Sequence, residues 1–167
     1  MKKIISLLIV LVISFVLVPE VSAEKTEHWD FILHDSAGGQ GSSNCTLKKQ
    51  EGTVTADGDW NYTSSQGQYA YGSYFNASVA IAGASISVTA SGTATSPSAP
   101  PGYQTSPFTL KISGRACNGH GSGTFKITFS NPAWPPPIDG TLTGTRKSGS
   151  GITAVAMPWI PLLMLDD

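Results

Sequence analysis

The chain has 167 residues, 10 Lys and Arg against 11 Asp and Glu for a formal charge of −1, and only 13% charged residues beside 18 Gly and 11 Pro. A near-neutral chain has no clustered basic field, which argues against nucleic acid and anionic membrane as partners. Abundant Gly, Pro, Ser and Thr suit short strands joined by turns rather than long helices.

Lys2 and Lys3 precede an apolar run from Ile4 to Val18, and Val21, Ser22 and Ala23 offer small residues at a cleavage point. This is the pattern of a secretory signal peptide over residues 1–23. The run is shorter than the roughly 20 residues a membrane span needs. The expected location is therefore secreted or periplasmic, with no transmembrane span after signal removal. Losing Lys2, Lys3 and Glu20 would move the formal charge from −1 to −2. What remains fits one all-β domain over residues 24–146, followed by a linker and an apolar C-terminal tail over residues 147–167.

In the first strand, Trp29, Phe31 and Leu33 share one face and His28, Asp30, Ile32 and His34 the other. A Gly- and Ser-rich loop is expected from Ser36 to Asn44, then a strand from Cys45 to about Ala56. Asp57-Gly58 reads as a two-residue hairpin turn returning through Trp60 and Tyr62. The register of Gln66 to Tyr74 is open. Phe75, Ala77, Val79 and Ile81 then alternate with Asn76, Ser78 and Ala80 up to Gly83, and Ile86, Val88 and Ala90 form the return strand. Pro97, Pro100, Pro101 and Pro107 make the next connection a stiff loop. Phe108, Leu110 and Ile112, then Phe125, Ile127 and Phe129, then Ile138, Gly140, Leu142, Gly144 and Arg146 mark the inward faces of the last three strands.

About eight antiparallel strands suit a barrel or a two-sheet sandwich, and the barrel is favoured. Cys45 and Cys117, the two cysteines of an exported chain, are expected to form one disulfide stabilising the fold by roughly 4 kcal/mol. In a strict meander this pair falls at opposite ends of strands spanning roughly 26 Å. A disulfide would thus require a repositioned loop, an extra reversal or a sandwich crossover.

Trp29 near the start of the first strand and Arg146 on the inward phase at the end of the last resemble the lipocalin and calycin arrangement, in which an arginine packs over a tryptophan at the closed end of an eight-stranded barrel. Glu27 stands where that family has a Gly two places before the Trp. The resemblance implies a cup-shaped barrel for a small, mostly apolar ligand.

Gly140 and Gly144 flank Leu142 and either leave interior space for a ligand or let backbones approach closely. Strand parity brings the Tyr103 and Trp134 loops to one end. Two flat aromatics there could present a platform for an apolar molecule or a glycan, or Trp134 could fold back as a lid. No metal or cofactor is expected. Asp57, Asp59 and Asn61 begin a calcium-loop pattern that fails at Tyr62 and Gln68. His28 and His34 lie roughly 20 Å apart along a strand. No Asp or Glu occurs between Trp60 and Ile138, and no nucleophile elbow is present, so the chain reads as non-enzymatic. The expected function is an exported binder of a small apolar molecule or glycan. The alternative is a structural or surface-interaction protein whose apolar tail, 152–165, docks on a protein partner.

Overall fold

The computed structural model describes residues 23–153, which form eight strands: β1 Lys25–Asp35, β2 Gln40–Gln50, β3 Thr53–Thr63, β4 Tyr69–Ala82, β5 Ser85–Thr95, β6 Thr105–Cys117, β7 His120–Phe129 and β8 Ile138–Gly149. The expected signal segment, except Ala23, and the tail beyond Thr153 lie outside the described residues. Every strand pairs antiparallel with its chain neighbours, and β1 pairs with β8. The sheet closes on itself as an up-and-down barrel, which leaves no edge strand for aggregation.

The two ends differ. Residues 51–52, 83–84 and 118–119 make tight turns at one end, where Glu51, Gly52, Gly83, Asn118 and Gly119 take up left-handed φ. Two-residue hairpins need such φ values to match the strand twist. The other end carries longer connections, 36–39, 64–68, 96–104 and 130–137. The first is the turn end and the second the loop end.

Alternation sets the interior. Trp29 and Leu33 of β1, Leu47 of β2, Trp60 and Tyr62 of β3, Phe108 and Leu110 of β6, Phe125 and Ile127 of β7 and Leu142 of β8 are buried, while the intervening residues face out. Each large apolar side chain so buried contributes about 1.5–3 kcal/mol. Trp60 fills the middle, edge-on to Phe108 with ring centres 5.3 Å apart and 6.3 Å from Phe129.

Four expectations are corrected. The β2–β3 turn lies at Glu51-Gly52, and Asp57-Gly58 sits inside β3 opposite Thr46 and Cys45. Gly58 is needed there because a Cβ would come within 2.7 Å of the Tyr74 ring. Asp57 instead secures a bulge in β4: its carboxylate accepts the Asn76 amide at 2.8 Å and pairs with Lys48 at 2.6 Å. Second, β2 starts at Gln40, so the polar stretch expected as loop through Asn44 is already paired with β1 and β3. Third, the bulge at residues 75–77 flips the inward phase, which passes from Tyr74 to Ala77 and leaves Phe75 74% exposed, with Asn76 at φ 52°. Finally, Cys45 and Cys117 are unlinked. Cys45 faces the interior in the middle of β2, whereas Cys117 ends β6 on the far wall, paired with His120. The meander itself keeps them apart.

Candidate functional site

At the turn end, Trp29 and Arg146 are ladder partners between β1 and β8. Glu27 lies between them on the inward phase and is fully buried. Its Oε1 accepts from Arg146 Nη1 at 3.1 Å, the Ile152 amide at 3.0 Å and the Thr153 amide at 3.2 Å. Its Oε2 accepts from Thr153 Oγ1 at 2.8 Å and Trp29 Nε1 at 3.2 Å. Burial pushes this carboxyl up, but the hydrogen bonds from Ile152, Thr153 and Trp29 together pull it further down, leaving it below its ordinary value. The segment after β8 is thereby strapped across the turn end, burying Ile152 and Thr153. That end of the barrel is closed.

Above it, Leu142 lines an apolar void of about 30 Å³ with Trp29, Cys45 and Leu47. Its almost wholly apolar lining offers a water few hydrogen-bond partners. Burial pushes the Cys45 thiol up to about 11, and it also raises the Tyr74 phenol facing that thiol. Gly144 accommodates the Phe31 ring, and Gly140 lets the His34–Asp35 backbone approach. These two glycines serve close packing rather than a cavity.

The loop end is open. A cavity of about 600 Å³ lies among the four long connections, walled by Tyr62, Tyr69, Phe129, Trp134 and Ile138, Pro135 to Pro137, and a set of Ser and Gln side chains. Among the described residues its charged wall residues are Asp35 and Asp139. Asp35 is already engaged: Oδ1 accepts the Ala37 and Gly39 amides at 2.8 and 2.7 Å, and Oδ2 accepts the Tyr62 hydroxyl.

Trp134 does fold back, as the lid alternative has it. It is buried on Phe129, ring centres 4.8 Å apart, and donates Nε1–H to the Tyr103 carbonyl at 2.7 Å. It remains part of the cavity wall, whereas Tyr103 presents an exposed ring nearby and contributes only its backbone to this contact. Asn131 holds the 130–137 loop to β6 by accepting the Ala133 amide on Oδ1 and donating its own amide to Ser106 Oγ, both at 3.0 Å. Ser96 Oγ donates to the Tyr69 carbonyl at 2.8 Å, and Ser64 Oγ accepts the Gln68 amide at 3.0 Å. The mouth is thus built before any ligand arrives.

Of the expected site residues, Trp134 lines the mouth, Tyr103 meets it only through the carbonyl that accepts the Trp134 Nε1–H, and Leu142, Gly140 and Gly144 lie outside it. Sequence reasoning missed Tyr62, Phe129 and Asp35 as wall residues, although the first two share the inward phase and all three lie within one residue of a strand end at the loop end. It also read Glu27 only as a departure from a motif. Its even spacing from Trp29 carried the signal. Among the described residues no cluster of three or more His, Cys, Asp or Glu could hold a metal ion. Compared with known proteins, the chain significantly matches no protein-family model, no curated protein and no solved structure.

Proposed function

We propose that this barrel is an exported, non-enzymatic binding protein that takes a small uncharged molecule with an apolar face into its loop-end mouth. The observation that carries the reading is the preformed cavity of about 600 Å³, which combines aromatic and proline walls with hydroxyl and amide groups. Binding sites of this size use apolar walls for affinity and a few polar groups for orientation. An anionic ligand is disfavoured, because among the described residues no Lys, Arg or His lines the cavity. Catalysis is disfavoured as well, since Asp35 already accepts three hydrogen bonds and, among the described residues, Asp139 is the other carboxylate of the wall. The outward strand faces are rich in Ser and Thr, opposite to the apolar outer band of a membrane-spanning barrel. Pairing of Trp29 with Arg146 at the closed end favours kinship with lipocalins and calycins, with Glu27 as this chain's own addition.

Titration of the intact protein with the neutral fluorophore N-phenyl-1-naphthylamine tests the reading. Saturable 1:1 binding is expected, lost when Ala37, an exposed wall residue, is replaced by Trp to block the mouth. A flat titration, or equal binding by Ala37→Trp, would overturn it. The second reading, docking through the apolar segment 152–165, gains support from one observation. Glu27 anchors Ile152 and Thr153, the first two residues of that segment, at the turn end.

A further inference from the structure

Beyond the mouth, we infer that the outer wall around Tyr69 and Tyr71 is a docking surface for a neutral polysaccharide chain. The two residues lie at i and i+2 on the outward face of β4, so their rings stand side by side, 5.8 Å apart and tilted by 36°. They are 39% and 43% exposed, while most other outward positions of β4 and β5 are Ser, Thr or Ala. Two adjacent exposed rings form a strip of apolar area with little rotamer freedom to lose.

Its flanks identify the occupant. Tyr71 is level with Asn61 of β3 and Thr95 of β5, and Tyr69 with Thr63. At the same height, the outward positions of β2 and β6 add only Gln, Ser, Thr and Pro. Along β3 the first charge is Asp59, opposite Ser73. An aromatic strip within an uncharged field of hydroxyls and amides complements a ligand with both apolar C–H faces and many hydroxyls, but no formal charge. A lipid surface would want basic residues or a continuous apolar patch, whereas no Lys or Arg is level with the strip and Ser73 separates it from Phe75, 74% exposed further along β4. Tyr69 also borders the mouth, so a chain lying along β4 would reach the rim. The surface does not depend on the mouth being occupied.

Native affinity electrophoresis of the intact protein in gels containing hydroxyethylcellulose, glucomannan, xyloglucan or laminarin, with alginate as the charged control, tests the proposal. Retardation by at least one neutral polymer is expected, weakened about 2- to 13-fold by Tyr69→Ala or Tyr71→Ala and abolished by the double variant. Tyr71→Phe, which keeps the ring face, should retain it. Unchanged thermal melting and N-phenyl-1-naphthylamine binding in Tyr71→Ala would show that fold and mouth are intact. No retardation by any neutral polymer, retardation by alginate alone, or full retardation of the double variant would overturn the proposal. Loss in Trp134→Ala but not in Tyr71→Ala would overturn it too, by placing the polymer in the mouth. Retention of a protein from the host by the Tyr strip, without polysaccharide binding, would likewise replace it.

Discussion

Replacing Glu27 by Ala should be among the most damaging single changes in the barrel. The carboxylate accepts five hydrogen bonds, and its removal leaves Arg146, Trp29 Nε1 and the 152–153 strap without their acceptor. Breaking one side of a buried ion pair costs about 3–5 kcal/mol. That range also accommodates a buried donor left unpaired, at about 1–3 kcal/mol. Detachment of the strap would let the amides of Ile152 and Thr153 regain water, but it would expose Ile152. At about 3–5 °C per kcal/mol for a domain of this size, Tm should fall by about 9–25 °C. Urea unfolding followed by tryptophan fluorescence measures the loss, and amide exchange at Ile152 and Thr153 reports the strap. Glu27→Gln keeps the shape and should lose about 1.5–3 kcal/mol, so it carries the test if the Ala variant does not fold. Because the folded-state carboxyl lies below its ordinary value, its contribution is complete above the usual carboxylate range and lost as pH falls through the lower folded value. The wild type should therefore lose stability on acidification more steeply than Glu27→Gln. A loss below about 1 kcal/mol in the Ala variant, or identical acid limbs, would refute the reasoning.

Other positions make separate demands. Iodoacetamide at neutral pH should label Cys117 in the native protein and Cys45 only in denaturant, since burial holds the Cys45 thiol up to about 11. Two thiols that resist labelling even in denaturant would show a disulfide instead. Gly144→Ala should cost about 1–3 kcal/mol in a thermal melt, because its Cβ would collide with the Phe31 ring. An unchanged Tm would mean the ring moves freely aside. Trp134→Ala should cost about 3 kcal/mol in urea unfolding and weaken N-phenyl-1-naphthylamine binding, since Trp134 both covers Phe129 and walls the mouth. Full binding with lowered stability would make it a lid alone.

Period-two alternation was enough to reveal the strands, and for β1, β6, β7 and β8 it also identified the inward faces. It failed where side chains from other strands intervene. Asp57-Gly58 carries a genuine turn signal, yet the position is held straight by ladders to β2 and β4, and the pair serves the Tyr74 ring and the Asn76 bulge instead. The same bulge reverses the phase of Phe75, and a one-residue insertion leaves no mark in hydrophobic pattern. The disulfide expectation rested on compartment and cysteine count, while strand order places the two thiols on opposite walls. Parity placed the Tyr103 and Trp134 loops at one end, because it fixes the end of a barrel at which a loop emerges, but it did not show that only Trp134 would line the mouth. Tyr62 and Phe129 looked like ordinary core, because no pattern in sequence shows where the packed interior stops and the mouth begins.

Native mass spectrometry of the protein purified from its own host, before and after extraction with organic solvent, tests the binding claim most directly. A reproducible mass excess that extraction removes, and that Ala37→Trp lacks, is the predicted result. A bare polypeptide mass under both conditions, or an excess retained by Ala37→Trp, would contradict the assignment of the mouth as the binding site.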